Sequence, residues 1–97
     1  MSEVVDAAVK ALNARLSGGG IDGSVRFVIE EEGAVRIDQR GARPDDDAAA
    51  DCVLTADVAT FQGLLDGDVN PTSAFMSGRL KVDGDMGLAM KLGSILA

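Results

Sequence analysis

Histidine, tyrosine and tryptophan are absent from this sequence, and cysteine occurs once, at Cys52. Without histidine, the side chain that most often binds transition metals and moves protons near neutral pH is missing. A single cysteine also excludes an internal disulfide and a cysteine-rich zinc site. Acid and base chemistry would fall to carboxylates or to the lysines Lys10, Lys81 and Lys91, and no pattern pairs them convincingly. These absences predict a protein that is not an enzyme and that uses no metal and no cofactor.

Basic clusters and long apolar runs are lacking as well. The net charge is −7 and there are only three aromatic residues, all phenylalanine, which disfavours nucleic-acid binding. No window approaches the ~18 uninterrupted apolar residues of a membrane span, so no stable membrane insertion is expected. Residues 1–6 carry acids where a secretory signal carries basic residues. We therefore expect a cytoplasmic protein.

What the chain does contain is a series of short periodic segments, which fit one domain over residues 1–97. Helical spacing of apolar residues covers 3–16 and 58–65, a proline-led short helix covers 72–76, and a final helix covers 86–96. Alternating patterns predict strands at 24–30, 34–39, 52–56 and 78–83. Residues 41–51, with three consecutive acids at 45–47, read as a solvated polar loop. Because one face of the strands is apolar throughout, helices should cover one side of the sheet, giving an α+β two-layer fold.

The last quarter of the chain is its most informative part. A proline-led turn, a strand and an almost uncharged helix follow one another from Asn70 to Leu92. The helix places Met86, Met90 and Gly93 in one row, with further apolar residues around that row. Such a helix must be buried or must cover something apolar. Methionine is flexible and polarisable, which suits an adaptable apolar pocket.

This segment closely resembles the sterol carrier protein 2 family, also called non-specific lipid-transfer proteins. The matching elements are Asn70-Pro71 with Ala74-Phe75, the strand Gly78-Arg79-Leu80-Lys81-Val82, and the helix Met86-Gly87-Leu88-Ala89-Met90-Lys91-Leu92. Three elements match in order without a gap. The upstream pattern of a helix, a hairpin, a strand and a second helix also looks like the family.

The resemblance implies a mixed, mostly antiparallel sheet with helices on one face and an apolar tunnel between them. It also implies a non-catalytic domain that binds or transfers fatty acyl, sterol-like or other apolar small molecules. The residues that would contact such a ligand are Phe61, Leu65, Phe75, Met76, Leu80, Met86, Leu88, Met90, Leu92 and Ile95. The same residues could instead fill a small core, and the two interpretations stand about even.

Two further expectations follow from the end of the sequence. The chain closes at Ala97, without the longer tail or the peroxisomal signal of eukaryotic family members, which favours a bacterial member. The final helix could therefore have an exposed edge or pair with a second copy in a homodimer. The alternative function is an oligomerisation or accessory module of the same fold, with a filled tunnel, that assists a separate lipid-related enzyme.

Overall fold

The computed structural model describes residues 3–17 and 19–96. It contains four helices and five strands in this described part. In chain order they are α1 Glu3–Arg15, β1 Val25–Ile29, β2 Gly33–Asp38, β3 Gly41–Pro44, β4 Cys52–Ala56, α2 Val58–Asp66, α3 Pro71–Met76, β5 Lys81–Gly84 and α4 Met86–Leu96.

The strands form one mixed sheet in the order β3-β2-β1-β4-β5. Strands β1 and β4 run parallel, and the other three pairings are antiparallel. Helix α1 packs against β2 and β3, and α4 packs against β4 and β5. The predicted α+β fold, with a mixed and mostly antiparallel sheet, is confirmed.

The core lies between the sheet and the helices. Alternation on β1 buries Val25, Phe27 and Ile29, while the residues between them stay half-buried. Strand β4 repeats the pattern and buries the Cys52 thiol. The Phe27 and Phe61 rings meet edge to face, with centroids 4.8 Å apart. This contact fixes α2 over the centre of the sheet.

The prediction that residues 41–51 form a polar loop is partly wrong, because the first four of these residues form strand β3 at the sheet edge. Glycine and proline are rare in strands, so residue propensities do not predict a strand that begins with glycine and ends with proline. Asn13 of α1 stabilises this edge, since its Nδ2 donates to the Ala42 carbonyl (2.9 Å) and its Oδ1 accepts from the Ala42 N–H (2.8 Å). A contact 29 residues away in sequence therefore completes the backbone hydrogen bonds of β3.

The rest of that segment is not a freely solvated loop either. It folds over the outer face of the sheet, where Asp45 pairs with Arg26 at 3.0 Å and is almost fully buried. The Arg36 guanidinium donates to the carbonyls of Ala48 (3.0 Å) and Ala49 (2.7 Å). These ion pairs and hydrogen bonds partly cover the outer face of the sheet.

The last strand also differs from its predicted bounds of 78–83. Residues 78–80 form a turn in which the N–H groups of Arg79 and Leu80 both donate to the Ala74 carbonyl. The strand then includes Gly84, which pairs with Cys52. A Cβ at Gly84 would lie 2.4 Å from the Asp51 carbonyl oxygen, so only glycine fits this approach.

Candidate functional site

An apolar opening lies at the β5 edge, between α3, β5 and α4. We call it the edge groove. Its volume is about 470 Å³, within the range of roughly 300–1,000 Å³ that is usual for ligand sites. The residues that line it are Asn70, Pro71, Thr72, Phe75, Met76, Leu80, Val82, Met86, Ala89, Met90, Gly93 and Ser94.

Helix α3 forms one wall of the edge groove. A capping residue fixes the position at which this helix begins. The Oδ1 atom of Asn70 accepts from the N–H groups of Thr72 (2.9 Å) and Ser73 (3.1 Å), and Pro71 occupies the first turn. Ala74 is buried and attaches the helix to the core. With Ala74 turned inward, Phe75 and Met76 are left at the groove and exposed to solvent.

Helix α4 forms the opposite wall and has two differently used faces. Asp85 begins it by accepting a hydrogen bond from the Leu88 N–H at 3.2 Å. Leu92 is fully buried, and Leu88 and Ile95 pack partly buried against the core. The row of Met86, Met90 and Gly93, which the helical spacing indicates, lines the groove. A Cβ at Gly93 would lie 3.2 Å from the Pro71 Cβ, so α3 and α4 come close at that end.

The groove is open to solvent and is not a closed tunnel. Phe75 is 42% exposed, Met76 81%, Met86 44% and Met90 61%, and these four are the exposed large apolar side chains among the described residues. All four line the same groove. A concentration of this kind marks an interaction surface, because apolar residues scattered singly would need no explanation.

The structure brings together half of the residues that the sequence singled out. Phe75, Met76, Leu80, Met86 and Met90 line the edge groove. Leu88, Leu92 and Ile95 belong to the core or pack against it. Phe61 and Leu65 lie beside a smaller cleft of about 270 Å³, formed by residues of α1 and α2. The candidate set therefore divides between a groove, a core and a second cleft.

Sequence reasoning missed several lining residues. Val82 was not proposed as a contact, although it lies two residues after Leu80 and lines the same groove. Pro71 and Ala89 contribute compact side chains, and Gly93 contributes backbone atoms only. The polar residues Asn70, Thr72 and Ser94 carried no signal, because capping and solvent exposure explain such residues equally well.

No charged side chain is among the described residues that line the edge groove. Within residues 3–17 and 19–96 there is also no group of three or more acidic, cysteine or histidine side chains placed to hold a metal ion. Cys52 lies in the sheet outside the groove, and burial, together with the nearby Asp85 and Asp83, raises the pKa of its thiol. In the described part of the chain, no helix has the length and apolar character needed to cross a membrane.

The fold and the groove define a small α+β domain with a ligand-sized apolar site at the edge of its sheet. The chain belongs to the SCP-2 sterol transfer family, whose sequence model matches residues 2–97. The resemblance found in the C-terminal segment is thereby confirmed.

Two relatives illustrate the relationship. Sterol carrier protein 2 of Rattus norvegicus is 50% identical over 52 residues, which are 54% of this chain and 10% of the rat protein. Hydroxysteroid dehydrogenase-like protein 2 of Xenopus tropicalis is 40% identical over 81 residues, which are 76% of this chain and 19% of that protein. The chain thus spans a small part of both relatives.

A solved structure shares the fold over the whole chain. The solution structure of Aedes aegypti sterol carrier protein 2, in complex with the fatty acid palmitate, has a TM-score of 0.77 and 20% identity. The match covers 100% of this chain and 97% of the mosquito protein.

Proposed function

We propose that this chain is a lipid-binding and lipid-transfer domain that holds the apolar part of a fatty acyl, sterol-like or similar ligand in the edge groove. Membership of the SCP-2 sterol transfer family supports this function. So does the complex of a structural relative, the Aedes aegypti protein, with palmitate. The site we propose consists of Phe75, Met76, Leu80, Met86 and Met90, to which the structure adds Val82.

The proposal rests on the convergence of Phe75, Met76, Met86 and Met90, which are the exposed large apolar side chains of the described residues, on one uncharged groove. Each ligand methylene that leaves water there contributes roughly 0.8 kcal/mol. The two methionines of α4 adjust to ligands of different shape because their side chains are unbranched and flexible. An open groove of this kind also releases its ligand without a lid, as transfer requires.

Binding involves no covalent step in this proposal. No histidine or tyrosine exists, and the one thiol is buried. We therefore propose a non-catalytic domain without a cofactor. Its proposed residues exclude water and follow the shape of the ligand.

The test compares delipidated wild-type protein with the double variant Met86→Gln/Met90→Gln, using dodecanol and dodecanoate as probes in calorimetric titrations. Glutamine keeps the length of methionine but removes its apolar character. We expect the double variant to bind about tenfold more weakly, since each substitution removes some 0.5–1 kcal/mol of apolar contact.

The matched control is Ala14→Gln, which places the same side chain at an exposed position of α1 outside the groove. It should bind as the wild type does. If neither probe binds the wild type, or if the control loses as much affinity as the double variant, the proposed function is wrong.

An accessory role beside a separate enzyme is the second candidate, and the match to a dehydrogenase-like protein favours it over a purely structural module. In that case the domain would present an apolar substrate to a partner protein. A homodimer through α4 remains a prediction, which light scattering with and without ligand tests. The cytoplasmic location and the bacterial origin also remain predictions from the sequence.

A further inference from the structure

The edge groove is not uniform along its length. Pro71 and Gly93 approach each other at one end, and the three polar lining residues Asn70, Thr72 and Ser94 are sequence neighbours of that contact. All three are exposed. The polar part of the lining is therefore gathered where the start of α3 meets the end of α4.

The opposite end of the groove is entirely apolar. Met86 lies seven residues before Gly93 on α4, which is roughly 10 Å along a helix. Leu80, in the turn at 78–80, and Val82, in β5, line the groove and lie shortly before this end of α4 in the sequence. Met76 closes the other wall at the end of α3. The groove therefore has a polar end and an apolar end.

The polar end offers hydrogen bonds but no positive charge. The N–H groups of Thr72 and Ser73, which an anion could otherwise use, are already bound by the Oδ1 atom of Asn70. What is left at this end is the Asn70 amide, the Thr72 hydroxyl and the Ser94 hydroxyl. Ser94 Oγ donates to the Met90 carbonyl (3.2 Å), so it keeps its capacity to accept.

The cationic side chains of this region do not line the groove. Lys81 alternates with Leu80 and Val82, so it points to the other face of the sheet. Arg79 is exposed in the turn before β5 and is not among the lining residues. Lys91 is exposed on α4 beside Met90 but is not among the lining residues. A chain with a net charge of −7 also repels anions.

We infer that the edge groove binds amphiphiles in one orientation, with an uncharged polar end such as a hydroxyl, carbonyl or ester at Asn70, Thr72 and Ser94. The apolar end of the ligand lies against Leu80, Val82 and Met86. This inference rests on the proposed function, because it specifies the ligand class and the direction of binding in the same groove. An ionised carboxylate loses part of its hydration at the polar end and gains no cation in return.

Orientation is tested with a long-chain alcohol that carries a nitroxide on its terminal carbon. Paramagnetic broadening reports distance, and the chain offers methyl groups at both ends of the groove, on Thr72 and Met86. We expect the Met86 methyl signal to broaden strongly and the Thr72 methyl signal much less. The reverse pattern, or equal broadening of both, would overturn the orientation.

Charge selectivity is tested by affinity at about pH 8, where a carboxylic acid is ionised. Wild-type protein should bind dodecanol more tightly than dodecanoate. The variant Thr72→Val, which removes the hydroxyl and keeps the shape, should weaken dodecanol binding about two- to fivefold. The variant Thr72→Lys should strengthen dodecanoate binding about two- to fivefold, since a partly exposed ion pair has that strength. The matched variant Met86→Lys, at the apolar end, should give no such gain.

The outcomes separate the two proposals. If neither probe binds, the proposed function fails and the inference falls with it. A second outcome is that both probes bind, that dodecanoate binds more tightly than dodecanol, and that Lys91→Met removes this difference in affinity. The domain then binds lipid, and the inferred class of uncharged ligands is wrong. Equal gains in dodecanoate affinity from Thr72→Lys and Met86→Lys would likewise contradict a single orientation.

Discussion

At the scale of single residues, neighbouring positions of α4 serve different purposes. Leu92 is fully buried in the core, whereas Met90, two residues earlier, is mostly exposed at the groove. Leu92→Ala should lower the free energy of unfolding by about 2–5 kcal/mol, because it leaves a cavity. Met90→Ala should change it by less than about 0.5 kcal/mol, as surface substitutions usually do. Urea denaturation of both variants checks this, and a similar loss in each would mean that Met90 is a core residue.

Leu92 and Met90 also show how much could be predicted from the sequence at the scale of single residues. Spacing along α4 indicated that Met86, Met90 and Gly93 share a row, because helical period depends only on local geometry. It could not decide whether that row or the leucine row faces the sheet. Phe61 shows the same limit, since its burial depends on distant parts of the chain, among them the Phe27 ring on β1.

At the scale of elements, β3 is the strand that depends most visibly on another element. Asn13 supplies both hydrogen bonds to Ala42, and neither partner is fully exposed. Asn13→Ala leaves the Ala42 N–H and carbonyl without these partners, so we expect a loss of about 1–3 kcal/mol in the free energy of unfolding. Amide exchange at Ala42 should accelerate as well. The exposed substitution Gln39→Ala, in the β2–β3 turn, is the control, and unchanged exchange at Ala42 in Asn13→Ala would refute this role.

Elements with strong internal periodicity could be predicted, and those completed by distant partners could not. The spacing of α2 and α4 and the alternation of β1, β2 and β4 each follow from residues within the element. The β3 strand needs Asn13, and the shift of β5 to 81–84 follows from two hydrogen bonds to Ala74 that shape the turn before it. Asp45, expected in solvent, is buried because Arg26 and Arg36 lie on adjacent strands beneath it.

At the scale of the whole molecule, the groove depends on how the capped helices meet the sheet edge. Asn70 and Asp85 fix where α3 and α4 begin, and the missing side chain of Gly93 lets the two helices approach at one end. Among the described residues, β5 is the edge strand on this side of the sheet, so the groove lies at an uncovered edge. A site of this kind arises from three elements that are adjacent in sequence, which is why the C-terminal segment alone indicated its location.

Acid should destabilise the molecule as a whole, and the sign follows from its carboxylates. The Thr60 backbone N–H and hydroxyl lower the pKa of Asp57. For Asp38, burial raises the pKa, but the Arg40 N–H and the Arg43 guanidinium outweigh it, so the pKa is again lowered. A group whose pKa is lowered in the folded state stabilises the fold at pH values above its ordinary pKa, which is 3.8 here. That contribution is lost as the pH falls through the pKa of the folded state.

Thermal unfolding should therefore occur at markedly lower temperature near pH 3 than near pH 6. Asp57→Asn keeps a capping oxygen that cannot titrate, so its melting temperature should fall less over this interval, and an identical fall in both proteins would contradict the role of Asp57.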